Sequence, residues 1–229
     1  MTSIATILNR DPEHTKIFNI SGNISSDIGI PSYIVGGYVR DSLLNKKTND
    51  IDIMVEGDVI KFSKQLANKL GVSNVVEFPE FCTVLVPYSE INIHVASARK
   101  ESYREKSRKP QVEHCSIEED LSRRDFTINA MAASLMNDNF GDIYDPFGGI
   151  KDLQKKLLIT PLDPDMTFKD DPLRILRAVR FASQLNFNLT TFIEDSIIKQ
   201  KKGLEFISNE RITEEIIKIL KTKKPSIGF

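Results

Sequence analysis

The 229-residue chain is 40% hydrophobic and carries 31 Lys and Arg against 32 Asp and Glu, a formal net charge of -1. That content supports a buried core in one large or two small domains and excludes a global basic field, while leaving room for a local basic groove. Two widely separated cysteines, Cys82 and Cys115, exclude a disulfide scaffold or a structural zinc site, and no apolar run reaches the roughly 18 residues that span a bilayer.

The first residues lack a basic segment followed by an apolar run, so no secretory leader is expected and the protein is read as soluble and cytoplasmic. Up to about Gly29 the pattern predicts a short leading helix and a polar connection, followed by a strand at Tyr33-Ile34-Val35 that ends in glycines. Val39 to Leu44 reads as a helix and Ile51 to Val55 as a second strand. Between them lies the most informative local pattern, Gly36-Gly37-Tyr38-Val39-Arg40-Asp41 followed by Asn49-Asp50-Ile51-Asp52-Ile53. A strand has a side-chain period of two, so Asp50 and Asp52 share one face while Ile51 and Ile53 fill the core behind them. Two hard carboxylates so placed suit Mg²⁺, which binds through one or two carboxylates plus substrate phosphates. The bare backbone at Gly36 and Gly37 and the fork of the Arg40 guanidinium supply the phosphate side. Taken alone, Asp-Ile-Asp reads equally well as a strand with incidental acids.

Apolar residues at helical spacing predict a helix over Val59 to Leu70, stopped by Gly71. Thr83-Val84-Leu85-Val86 and Ile91-Asn92-Ile93-His94-Val95 read as strands around a hairpin turn at Pro87-Tyr88-Ser89-Glu90. Arg99 to Pro110 is strongly basic without an apolar period and predicts a mobile loop or a solvated face. Ile117 to Leu135 is helical in pattern, with Arg123 and Arg124 facing outward beside buried Phe126, Ile128 and Met131, and Asp145 to Gly149 is a break. From Pro172 onward strand signals nearly vanish, and helices are expected at Leu173 to Phe181 and Ile212 to Leu220. Asp171, Arg174 and Arg177 fall near one helix face, either as a surface ion pair or as an edge of donors and acceptors for a nucleobase. The expected architecture is α+β, a short mixed β-sheet flanked by helices over residues 1–163 and an all-helical neck over 164–229.

In this order, Gly36-Gly37-Tyr38-Val39-Arg40-Asp41, Asp50-Ile51-Asp52, Arg123-Arg124-Asp125-Phe126-Thr127-Ile128-Asn129-Ala130, Asp171-Pro172-Leu173-Arg174 and Asn209-Glu210-Arg211-Ile212 closely resemble the class II tRNA nucleotidyltransferases. That family of CCA-adding enzymes and bacterial poly(A) polymerases belongs to the polymerase-beta-like superfamily. The resemblance implies that Asp50 and Asp52 are catalytic and hold Mg²⁺, and that Gly36, Gly37, Arg40 and Arg124 contact the ribose or triphosphate. It further implies that Asp171 and Arg174 pair with the incoming CTP or ATP, braced by Arg177 and Arg180, while a tRNA 3′-hydroxyl attacks the α-phosphate. The basic stretch resembles the family's flexible loop.

Two features depart from the family pattern. His94 stands where an acid is usual, and Cys82 where glycine is common; a neutral imidazole at His94 could act as a base, or the residue could be structural. The family also continues into body and tail domains that are expected to be absent here. Two readings therefore stand beside CCA addition: a poly(A) polymerase and a catalytically silent nucleotide-binding module.

Overall fold

The structure, a computed structural model, describes residues 2–102 and 111–228. Its contacts divide the chain into two compact units, one built from Met1–Leu121 and Met131–Pro146, the other from Ser122–Ala130 and Phe147–Phe229.

The first unit starts with a short helix α1 (Ala5–Leu8) and then α2 (Pro12–Ile28). The Asp11 carboxylate accepts from the Glu13 and His14 N–H groups, Pro12 opens the first turn, and Gly29 closes α2 in the left-handed region at φ 68°. There follow β1 (Ser32–Val35), α3 (Gly37–Leu43), β2 (Ile51–Val55), α4 (Val59–Leu70), β3 (Val76–Phe78), β4 (Thr83–Tyr88), β5 (Ile91–Ser97), β6 (Arg99–Ser102), β7 (Gln111–His114), α5 (Ile117–Ser122), β8 (Ala132–Ser134) and β9 (Ile143–Tyr144). Seven strands form one sheet in the order β3-β4-β5-β2-β1-β8-β9. Only β2 and β5 run parallel, so the sheet is mixed, as expected. On one face Ile34, Ile51, Ile53, Val84, Val86, Ile93 and Val95 are buried, together with Ile17, Phe18 and Ile24 of α2 and Phe62 and Leu66 of α4. Each such side chain stabilises the fold by about 1.5–3 kcal/mol relative to exposure.

Three expectations change. The leading helix is not short, since α2 runs for 17 residues. Arg99–Ser102 is not loop but pairs antiparallel with Gln111–His114, from Arg99 opposite His114 to Ser102 opposite Gln111; the remainder of the expected loop, residues 103–110, lies outside the described residues. Ile117 to Leu135 is not one helix: α5 ends at Ser122, a 3-10 turn occupies Thr127–Asn129, and β8 follows. The physical reason is that Phe126 to Leu135 is buried at every position, so no helical stripe exists to distinguish helix from buried strand.

The second unit contains α6 (Gly149–Lys155), β10 (Leu157–Leu158), α7 (Pro164–Asp170), α8 (Leu173–Leu185), β11 (Asn188–Leu189), α9 (Thr191–Gln200) and α10 (Asn209–Leu220). Phe168, Ile175 and Ile193 form a core cluster on which Leu189, Ile197 and Leu204 pack. Among the described residues every element from 164 onward is helical apart from β11, which pairs with β10 over two residues.

Gly22 marks where α2 meets the chain beyond β8, because an added Cβ would lie 2.2 Å from the Leu135 carbonyl oxygen. Backbone cannot yield as a flexible side chain would, so Gly22→Ala should lower unfolding free energy by about 1–3 kcal/mol. Urea denaturation read by circular dichroism checks this, and an unchanged midpoint would contradict the packing.

Candidate active site

In the first unit the register of the strands fixes the site. Ile34 of β1 lies opposite Ile53 of β2 in an antiparallel pair, so the chain leaving β1 at Gly36 runs alongside the start of β2, where Asp50 and Asp52 stand. Ile51 and Ile53 are fully buried behind the sheet, whereas Asp50 is exposed and Asp52 half-buried. The period of two sets Asp52 on the face of β2 opposite to Ile51 and Ile53, and Asp50 is exposed just before the strand begins.

Gly36 adopts φ 67° and ψ -125°, a conformation costly for any residue with a Cβ, and it caps the start of α3. Gly37 is different: a Cβ there would have only the Arg40 Nη2 at 3.6 Å, an ordinary contact. The first glycine is needed by the backbone, and the second leaves open space. Arg40 is buried and grips Asp41 bidentately, Nε to Oδ1 at 2.9 Å and Nη2 to Oδ2 at 2.8 Å. Its fork thus already has one carboxylate partner.

Tyr38 anchors this helix. Its ring stands edge-on to Phe18 at 5.4 Å, and its hydroxyl lies 2.8 Å from His14 Nδ1, both partners being on α2. Burial, reinforced by the Asp11 charge, pushes the Tyr38 phenol well up, so it stays protonated and uncharged where it shares a hydrogen bond with the imidazole.

The second unit holds the other expected residues. Arg123 and Arg124 are half-buried in the turn after α5 rather than on a helix face. Asp171 accepts from the Leu173 N–H at 3.2 Å at the start of α8, and its other oxygen faces Arg211 Nη2 at 3.3 Å. Arg174 donates Nη2 to the Arg123 carbonyl at 2.6 Å and Nη1 to the Thr167 carbonyl at 3.4 Å. Asp171 thus forms an ion pair with Arg211, and Arg174 is directed to backbone oxygens. Arg177 donates Nε to Asp125 Oδ2 at 2.8 Å, with Nη2 at 2.6 Å from the same oxygen. Arg180 stacks 4.3 Å over the Phe181 ring, with Nε 2.7 Å from Glu215 Oε2 in a charge contact rather than a directed hydrogen bond.

Asp125 and Glu215 are the members that the sequence reading did not single out. Asp125 Oδ1 accepts from the Phe126 N–H and the Asn129 amide while Oδ2 meets Arg177, so this buried carboxylate is satisfied on both oxygens. Burial pushes its pKa up, but the Arg177 charge and these hydrogen bonds outweigh it and hold it below the usual carboxylate range. Arg177 is held above its ordinary value by the same pair against the opposing effect of burial. Asp125 lay inside a motif and was findable; Glu215, 3% exposed on α10, carries no local signal because one acid on a helix looks like any surface acid.

Among the described residues no three His, Cys, Asp or Glu side chains form a ready-made ion cage. The donor set is a carboxylate pair, which fits an ion completed by substrate phosphates rather than one caged by protein alone.

A profile of the Poly A polymerase head domain matches residues 32–159, and one described as a probable RNA and SrmB-binding site of polymerase A matches 186–229. The chain is 47% identical over 173 residues to an A-adding tRNA nucleotidyltransferase of Aquifex aeolicus, covering 76% of this chain and 20% of that protein. The structure superposes on the Thermotoga maritima CCA-adding enzyme complexed with tRNA with a TM-score of 0.86 at 33% identity, covering 99% of this chain and 52% of the other. A CCA-adding enzyme solved with CTP gives a TM-score of 0.86 at 33% identity, covering 99% and 52%. The chain spans about a fifth of the Aquifex relative and about half of each of these structures.

Asp125→Ala should cost about 1–3 kcal/mol by leaving the half-buried Arg177 guanidinium and the Phe126 and Asn129 donors without their acceptor. Because folding depresses the Asp125 pKa, its contribution is fully present above the unfolded value of about 3.9 and is lost as pH falls through the lower folded value. The stability gap between wild type and Asp125→Asn should accordingly narrow below about pH 4 in denaturant titrations; a gap constant with pH would refute it.

Proposed function

The chain belongs to the Poly A polymerase head-domain family, and on that premise we propose that it is a template-independent RNA nucleotidyltransferase, adding C and A from CTP and ATP to the 3′ end of tRNA in the cytoplasm. The observation that carries the proposal is the β1–β2 register, which sets a glycine turn beside two outward carboxylates. Nucleotidyltransferases of this kind generally use divalent metal ions; we assign Mg²⁺ to Asp50 and Asp52. When bound there, the metal would supply charge neutralisation at the triphosphate and favour the ionised 3′-hydroxyl.

The chain's own residues orient and select. Gly36 and Gly37 offer backbone to the triphosphate and ribose, and the open space at Gly37 is what close approach of a ligand requires. Arg40, shared with Asp41, and Arg124 neutralise phosphate charge. In the second unit Asp171 and Arg174 present an acceptor and donors to the nucleobase, while Arg177 and Arg180, locked by Asp125 and Glu215, keep α8 rigid. A base that leaves such groups unpaired is penalised by about 1–3 kcal/mol per group. We assign the head role to residues 1–163 and the nucleotide-selecting neck to 164–229.

The name of the Aquifex relative favours a second reading, addition of A alone. Labelled CTP and ATP offered to tRNA lacking CCA, and to tRNA ending in CC, separate the two. Incorporation of both nucleotides into the first substrate is expected. Activity only on the second would establish A addition, long A runs a poly(A) polymerase, and none at all a silent module. Asp52→Ala should reduce incorporation by at least about 10³-fold, as loss of transition-state charge stabilisation does elsewhere.

Asp171→Ala should loosen base choice more than it weakens triphosphate binding, read as kcat/KM for all four nucleotides. Equal loss for all four would reject its selecting role.

A further inference from the structure

Phe206 is the most exposed large hydrophobic side chain among the described residues, at 88%, and the assigned reaction gives it no task. It ends a 3-10 turn, Lys201–Phe206, within the second unit. An added Cβ at Gly203 would lie 2.7 Å from Pro172 Cγ, so the backbone of that turn rests directly on Pro172. Leu204 packs onto the cluster of Phe168, Ile175 and Ile193. Beyond the turn, Arg211 Nη2 reaches Asp171 Oδ2 at 3.3 Å. The path from Gly203 to Arg211 therefore starts and ends against consecutive residues, Pro172 and Asp171, and Phe206 stands on it.

In a 3-10 helix, side chains three residues apart eclipse one another, with a rise of about 2.0 Å per residue. Phe206 therefore projects from the same side of the turn as the Gly203 contact with Pro172, about 6 Å further along. Its neighbours in the chain, Glu205, Ser208 and Asn209, are exposed and polar. One phenyl ring covers too little area to hold a protein, whose standard interface takes about 800 Å² from each partner, but it matches the π-face of one nucleobase. We propose that Phe206 is a stacking platform for the base of the incoming nucleotide, whose edge is read by Asp171 and Arg174. The inference rests on the assignment of those two residues as the base-selecting pair. Hydrogen bonds at the edge discriminate between bases, and a ring against the face holds the plane in which that edge lies.

The chain contains no tryptophan, so Phe206→Trp introduces a single indole emission at the proposed platform. CTP and ATP, titrated separately, should quench it, whereas inorganic triphosphate should not. In steady-state incorporation, Phe206→Ala should raise KM for ATP by about tenfold, and for CTP by less because a pyrimidine offers the smaller π-face, with kcat within about twofold. Phe206→Trp should keep KM at or below the wild-type value. The side chain is exposed, so both variants are expected to fold, and circular dichroism verifies it. No quenching by either nucleotide, equal quenching by inorganic triphosphate, or quenching only by RNA overturns the platform; the selecting role stands in each case if Asp171→Ala still loosens base choice. Equal loss for all four nucleotides in Asp171→Ala overturns the selecting role, and this inference with it.

Discussion

Because β1 and β2 are antiparallel and in register at Ile34 and Ile53, the end of one and the beginning of the other are forced to the same end of the sheet. A slip of one residue would turn every side chain of β2 over, burying Asp52 and exposing Ile51 and Ile53. Loss of several apolar contacts at about 1.5–3 kcal/mol each, plus burial of a carboxylate, makes that slip prohibitive. The hydrophobic pattern that folds the sheet is therefore the same device that aims the acids. The Tyr38 anchor onto Phe18 and His14 extends this control to α3, whose first residues are the glycine turn.

The second unit relies on charge rather than on sheet register. Along α8, Arg177 and Arg180 flank Phe181, which stands edge-on to Phe126 at 5.8 Å. Each arginine is matched by a buried acid, Asp125 or Glu215. Such pairs add little net stability over apolar replacements but are severe when half removed. That asymmetry suits a surface where geometry matters more than strength, since α8 also carries Arg174 and Asp171 lies two residues before its first, Leu173.

Much of this is legible in the sequence. The strands β1 and β2, helix α4 with its Gly71 stop, and the placing of Asp52 on the face of β2 away from Ile51 and Ile53 follow from periodicity and turn residues. The stretch from Ile117 to Leu135 was misread because Phe126 to Leu135 is apolar or buried on all sides, and periodicity is silent there. Partners distant in sequence were equally out of reach: Arg177 meets Asp125 across 52 residues, and Arg174 reaches the Arg123 carbonyl across 51. Local patterns name the residue types but not who faces whom. Cys82 illustrates the converse, since its backbone adopts φ 41°, where glycine would be at ease, and the cysteine keeps the shape that a glycine would favour.

The chain enters the second unit at Ser122, leaves it after Ala130 and returns at Phe147, so that unit is made of two separate stretches. During synthesis at about 5–20 residues per second, Asp125 emerges roughly 3–10 s before Arg177, 52 residues later, is available to meet it. Throughout that interval the segment must stay hydrated or be shielded, because a carboxylate cannot enter an apolar interior uncompensated. The order of emergence from the ribosome thus sets when this part of the molecule can close, and a shorter nascent chain has no means of closing it.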